Sequence, residues 1–406
     1  MSDKTEKIVI AGMGSISPLG HARSLIWRSY SSRVSRLKPV AFDGQEVAAA
    51  KLSAESDAVI DSIRNENSRH AHLDRTVLMA IHSAREAVRE AGWKEADKGH
   101  KTGVNIGSSR GATGILEDFH AAYLTDAGHR VPPLTSPVTT LGNISSSIAH
   151  DIGASGPEIS HSVTCSTALQ AVFNAIAWMR SGLADRFIVG GAEAALTGFT
   201  VAQMRALRIY TNDTFARYPS RPCSSEPHLR DMMALGEGAA LFALEKLTGK
   251  EMTAKRADLL GVIESFGYGL EYPRTATAIT EEGYALRQAM RMALDGMAPD
   301  EKVDAIILHA PGTVKGDRSE LNAIKALFGN DLPVLISNKW FVGHTFGASA
   351  ALSLEYALLI LANGSHSEFP YPVSFTNRER PLKRIMINAA GFGGNAASLI
   401  VTKPAE

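Results

Sequence analysis

Short apolar runs alternate with amphipathic stretches along the whole chain. Lys7–Gly12, Gly103–Gly107, Glu158–Val163, Arg186–Gly191 and Ala239–Glu245 read as strands in the first part. Leu259–Tyr268, Val303–Leu308, Pro333–Ser337, Arg384–Ala389 and Ala396–Val401 do so in the second. Several are continuously apolar, which suits strands covered on both faces. Between them, apolar residues recur at helical spacing over Leu73–Ala91, Gly111–Thr125, Thr139–Ile152, Ser166–Ser181, Glu281–Gly296, Asp317–Phe328 and Gly343–Ala362. The alternation predicts a layered α/β fold with mostly parallel sheets. The charged stretch Lys246–Lys255 reads as the link between two βα-rich halves, 1–250 and 251–406. Thr211–Arg230 is irregular and rich in Pro, Ser and Arg, the mark of a lid or interface segment.

Composition narrows the class. Lys plus Arg equals Asp plus Glu at 42 each, so charge gives no reason to expect nucleic acid or an anionic membrane surface. Two cysteines cannot build a disulfide framework, which fits a reducing, cytoplasmic setting. The N-terminal residues lack the pattern of a signal peptide. Ile159–Met179 carries no acidic or basic charge, yet its Ser, His, Thr, Gln and Asn argue against a membrane span.

The chemistry centres on Cys165. The segment Ile159–Ala168 begins as a strand and passes into a helical pattern, placing the thiol over the first free amides of a helix. Such dipoles favour thiolate, so a helix end plus an imidazole is expected to draw a thiol of pKa about 8.5 into the working range. The plainer reading is a small buried hydrophobe. His309 ends an apolar run and precedes Ala-Pro-Gly-Thr313, a usual place for a catalytic side chain. His344 follows Gly343 before a small-residue helix, and Asn388–Asn395 is a glycine-rich turn after a strand. Cys223 has no activating neighbour in sequence and reads as structural.

Together these segments resemble the β-ketoacyl-acyl carrier protein synthases, the decarboxylating condensing enzymes of the thiolase superfamily. The resemblance is to the elongating, Cys-His-His class. It spans nearly the whole chain in order: Ile8–Gly14 with Ser17–Gly20, Gly103–Ser108, Val163–Ala168, Gly190–Glu193, Ser220–Pro222 and Gly236–Ala239. Then come His309–Thr313 with Asp317 and Glu320, Lys339 with Gly343-His344, and Gly391–Gly394.

The resemblance implies a thiolase-like fold, layered α-β-α-β-α from two similar βα halves, with Cys165 in the first and His309 and His344 in the second. It implies Cys165 as nucleophile, Cys165 and Phe392 N–H groups as oxyanion hole, and paired imidazoles that hold an enolate. Lys339 would set the electrostatics, Phe392 would gate the acyl chain and Thr313 would bind the substrate arm. Glu320, Gly391 and Gly393 would shape the site. No metal or redox cofactor is implied, because phosphopantetheine arrives on acyl carrier protein. A homodimer, or a heterodimer with a ketosynthase-like chain, would form through Glu158–Val163. Arg64, Arg69, Arg205 and Arg208 are candidates for a basic carrier-docking face. The competing readings are a non-catalytic, chain-length-determining subunit, an initiating condensing enzyme and a thiolase. The retained Cys165, His309 and His344 favour catalysis.

Departures from the family pattern cluster around the pocket. Ala310 and Pro311 stand where Gly and Thr are usual, and Ser353 stands where a glutamate is, with Glu355 two residues on. Two residues on a helix turn a side chain by roughly 200°, so Glu355 is expected to face away from Lys339. Met232-Met233, Ala168 and Ala390 also depart. The expectation is an active enzyme with altered substrate preference.

Overall fold

The computed structural model describes residues 6–94, 100–141, 143–226, 230–272, 275 and 277–404. In chain order the strands are β1 (Lys7–Ile16), β2 (Lys38–Phe42), β3 (Gln45–Ala50), β4 (Thr102–Gly107), β5 (Glu158–His161), β6 (Arg186–Glu193) and β7 (Leu235–Gly236). They continue as β8 (Gly238–Leu247), β9 (Gly261–Leu270), β10 (Ala305–Ile307), β11 (Val334–Ile336), β12 (Arg384–Gly391) and β13 (Asn395–Thr402).

Ten strands form one ladder in the order β11-β10-β12-β13-β9-β1-β8-β6-β4-β5. Outward from its centre, one arm runs β1, β8, β6, β4, β5 and the other β9, β13, β12, β10, β11. Both arms therefore place first strand beside last, then fourth, second and third. Directions repeat as well, two antiparallel pairings followed by two parallel ones. The arms meet through a short antiparallel contact, Ile8–Ile10 against Gly261–Ile263. The expectation of mostly parallel sheets is thus only partly met. Continuous apolar runs report cover on both faces, not strand direction.

Two central helices, Thr167–Arg180 and Ser349–Asn363, lie between the arms. Leu169, Val172 and Ile176 of one and Leu354, Leu358 and Leu361 of the other share a core with Phe187, Val189, Ile385 and Ile387. Ile188, from the opposite face of β6, packs with Leu78 and Ile81 of Arg75–Glu90 and Ile148 of Asn143–Ile152. Met386, from the opposite face of β12, packs with Met290 of Tyr284–Asp295 and Ile324 of Val314–Phe328. Alternate residues of one strand thus enter different cores, and five layers follow. The window Phe346–Asn363 is long and apolar enough to cross a membrane, but 89% of it is buried inside the protein, as befits a core helix.

Beyond the sequence expectation are the hairpin β2–β3 with β7, and the helices Arg23–Ser31, Ala54–Asn65 and Gly198–Ala206. The stretch read as a charged link holds the end of β8 and the helix Gly249–Lys255, on the way from the first arm to β9 of the second. Residues 227–229 of the irregular segment lie outside the described residues.

Candidate active site

A tight elbow carries Cys165. Thr164 sits at φ 50°, in the left-handed region that costs a side-chain-bearing residue strain. Three hydrogen bonds hold it there. Thr167 Oγ1 accepts from Val163 N at 2.8 Å and donates to the Thr164 carbonyl at 2.5 Å, and Ser109 Oγ donates to the same carbonyl at 2.8 Å. The helix Thr167–Arg180 begins immediately afterwards. Glycine is required opposite the elbow: a Cβ on Gly391 would lie 1.9 Å from Thr164 Oγ1. The Gly391–Gly394 turn is clasped to the elbow from the other side. Asn395 Nδ2 donates to the Phe392 carbonyl at 2.9 Å, and Ser166 Oγ donates to Asn395 Oδ1 at 2.5 Å.

Cys165 Sγ lies 3.2 Å from His344 Nε2, and His344 Nδ1 lies 2.7 Å from Ser349 Oγ. The His309 ring stands nearly perpendicular to that of His344, at 83° and 5.6 Å between centroids. Its turn is anchored by buried Glu320, which accepts from His309 N at 3.0 Å, Ala310 N at 2.7 Å and Asn388 Nδ2 at 3.0 Å. Lys339 is buried, its Nζ donating to the Leu308 carbonyl at 3.3 Å. On the other side of the thiol, buried Glu193 accepts from Ser108 Oγ, Ser109 N, Arg110 N and Gly347 N.

Burial governs the electrostatics. It pushes the Cys165 thiol up to about 12, with Glu193 adding to the rise and Lys339 opposing it. It drives His344 down to about 3, helped by Lys339, and His309 well below the usual imidazole range. Lys339 itself falls to about 8, while Glu320, Cys165 and Asp317 support its charge. Burial thus works against the expected low-pKa thiolate: it favours the neutral form of the thiol and of both imidazoles.

Cys165, His309, His344, Thr313, Gly391 and Phe392 all line one cavity of about 810 Å³. Lys339 and Glu320 lie behind it, not on its wall. Phe392 is 40% exposed at the cavity, where a ring can swing. Thr313 caps the helix Val314–Phe328 by accepting from Gly316 N. Gly393 takes φ 90°, which the turn demands. Of the four arginines suggested for docking, Arg208 reaches this cavity, joined by Arg230 and Lys315; Arg64, Arg69 and Arg205 do not line it.

Other departures resolve locally. Glu355 faces away from Lys339 as the helix geometry predicts, and accepts from Ser15 Oγ. Cys223 is buried, its backbone N–H donating to Asp317 Oδ2 at 2.7 Å. Sequence reasoning missed Ser349, and it gave Glu193 no role. A hydroxyl five residues after a histidine is too common to stand out.

Residues 5–249 match the family described as "Beta-ketoacyl synthase, N-terminal domain", and residues 260–369 match "Beta-ketoacyl synthase, C-terminal domain". The 3-oxoacyl-[acyl-carrier-protein] synthase 2 of Staphylococcus aureus (strain N315) is 29% identical over 420 residues, covering 98% of this chain and 99% of that one. The protein of the same name from Coxiella burnetii is 29% identical over 427 residues, covering 98% of each. Two solved structures share the fold. The ishigamide ketosynthase/chain length factor superposes with TM-score 0.83 at 24% identity, over 98% of this chain and 100% of that one. A Beta-ketoacyl synthase from Burkholderia phymatum STM815 gives 0.82 at 22%, with the same coverage.

Proposed function

The chain belongs to the β-ketoacyl synthase family of condensing acyltransferases, and on that premise we propose how its residues divide the reaction. Cys165 attacks the thioester of an acyl group carried on phosphopantetheine. Its proton passes to His344 Nε2 and on to the departing pantetheine sulfur, leaving acyl-Cys165 and a free carrier thiol. The backbone N–H groups of Cys165 and Phe392 hold the oxyanion of that step. The malonyl thioester of a second carrier then loses CO₂. Imidazole N–H groups of His309 and His344 hold the resulting enolate oxygen. The enolate carbon attacks acyl-Cys165, the acyl–sulfur bond breaks, the β-ketoacyl carrier leaves, and the Cys165 thiolate regains a proton through His344. Lys339, buried beside Glu320 and Asp317, supplies the fixed positive field, and Thr313 steadies the pantetheine arm.

The observation that carries this reading is the 3.2 Å approach of Cys165 Sγ to His344 Nε2, with the perpendicular His309 ring facing the same cavity. Its test is intact-mass analysis after incubation with a panel of acyl-loaded carriers. A mass increase confined to protein retaining Cys165 is expected. No adduct from any carrier would turn the assignment towards a non-catalytic, chain-length-determining subunit.

The relatives named above act on acyl carrier protein by name, and the same carrier is the proposed partner here. Arg208, Arg230 and Lys315 at the cavity offer an acidic carrier its first contact. The terminal strand β5 is the proposed dimer edge, for a second copy or a ketosynthase-like chain. Residues 1–250 then form the half that bears the nucleophile, and 251–406 the half that bears the imidazoles. Ala310, Pro311, Met233 and Ala390 near the arm and gate point to a specialised acyl substrate, such as a conjugated or polyketide-like chain. Turnover that favours ordinary saturated chains would refute that last point.

A further inference from the structure

His344 faces two tasks that require opposite protonation of one atom. With Cys165 a thiol, Nε2 must accept the S–H proton, so Nδ1 carries the ring hydrogen. When the enolate forms, Nε2 must donate, so Nδ1 must accept. A backbone carbonyl at Nδ1 would serve only the first state and a backbone N–H only the second.

The partner present is a hydroxyl. Ser349 Oγ lies 2.7 Å from Nδ1 and 3.2 Å from Thr345 Oγ1, and it accepts from Thr345 N at 2.9 Å. Ser349, Thr345 and His344 are all buried. The backbone N–H of Thr345 holds the oxygen in place while its proton stays free to turn. In one arrangement Nδ1–H donates to Ser349, whose hydroxyl donates to Thr345 Oγ1. In the other Thr345 donates to Ser349, whose hydroxyl donates to Nδ1. Nδ1, Ser349 Oγ and the Thr345 N–H keep their partners in both.

We propose that Ser349 is a positioning residue that lets His344 serve as proton acceptor in acylation and as hydrogen-bond donor in decarboxylation. The inference rests on the reaction proposed above. Removing the hydroxyl has a directional effect. In Ser349→Ala both Nδ1 and the Thr345 N–H lose the oxygen they share, and a buried N–H left without its acceptor favours an accepting Nδ1 and so the Nε2–H tautomer. Acylation loses its acceptor while decarboxylation keeps its donor.

The test combines two half-reactions with ring ¹⁵N NMR of histidine-labelled protein, the His344 signals being assigned by their loss in His344→Gln. Wild type should show Nδ1–H in the free enzyme and Nε2–H in the acyl-enzyme. Ser349→Ala should show Nε2–H in the free enzyme, form acyl-Cys165 about 10- to 100-fold more slowly, and release CO₂ from malonyl-acyl carrier protein within about threefold of the wild-type rate. Ser349→Thr, which keeps the hydroxyl, should restore acylation. One tautomer throughout in wild type, or equal slowing of both half-reactions in Ser349→Ala, would overturn the inference. Wild-type protein that takes up no acyl group would instead overturn the functional reading. The free-enzyme spectra would still decide this one.

Discussion

The two arms of the sheet share one strand order, yet deliver different chemistry from equivalent places. In each arm the third strand in chain order leads to a central helix. After β5 the chain reaches Thr167–Arg180 through a short elbow with Thr164 strained at φ 50°. After β11 it takes a longer route, through Lys339–Val342 and His344, before Ser349–Asn363. The short route fixes one sulfur rigidly. The long one has room to place a lysine, an imidazole and a hydroxyl at different depths. Each arm also braces its turns with buried carboxylates that accept backbone N–H groups, Glu193 in the first, and Glu320 with Asp317 in the second. Glu193 reaches across to Gly347 of the other half, so the brace of the nucleophile also aligns its partner. Repeating a scaffold leaves its connections free to specialise.

The sharpest way to break this comparison is to delete chemistry from one side at a time. Cys165→Ala should abolish acyl-enzyme formation, lowering condensation roughly 10⁴-fold or more, as read by intact mass and product release. His309→Ala should instead retain the acyl adduct and lose roughly 10²- to 10⁴-fold in malonyl decarboxylation. Equal loss of both half-reactions in both variants would dissolve the division of labour.

Next in size is the brace itself. Glu320→Ala leaves His309 N, Ala310 N and Asn388 Nδ2 without their acceptor in a buried site. It should cost roughly 3 kcal/mol in denaturant unfolding, with activity falling alongside. Contact between the halves gives a smaller effect with a diagnostic rescue. Gly391→Ala drives a Cβ against Thr164 Oγ1 and should cost about 1–3 kcal/mol and slow acylation. Thr164→Gly, which removes that oxygen and relieves the left-handed strain, should recover much of both. Additive penalties in the double variant would show that the two turns do not bear on each other.

The mildest prediction concerns Glu355, buried on the far side of Ser349–Asn363 from Lys339. Burial lifts its carboxyl to about 7, so the folded protein holds a proton that the unfolded chain releases near the usual 4.5. Stability from this group is therefore full at low pH and falls as pH rises from about 4.5 to about 7, by at most about 3 kcal/mol. Glu355→Gln should leave stability unchanged near pH 4.5 and raise it near pH 8. Thermal unfolding at the two pH values checks the sign.

All ten strands of the ladder, and both central helices, were legible as apolar runs and helical spacing. Such runs arise because alternate side chains of one strand enter two different cores, as Ile188 does beside Phe187 and Val189. The hairpin β2–β3 escaped notice because Lys38–Phe42 is largely exposed and offers no such signal. Cys165, His309 and His344 stood out through the order of their motifs along the chain. Their separation in sequence says nothing of distance or orientation.

What the sequence determined alone was the succession of elements and which side chains are candidates for the chemistry, because burial on both faces and short motifs are local in sequence. The tertiary structure decided strand direction, the 3.2 Å approach of thiol to imidazole, the burial that favours the neutral form of both, and the hydroxyl behind Nδ1. These depend on what packs against each group across the two halves. Desolvation and hydrogen bonding act through space, and the order of residues along the chain carries no measure of either.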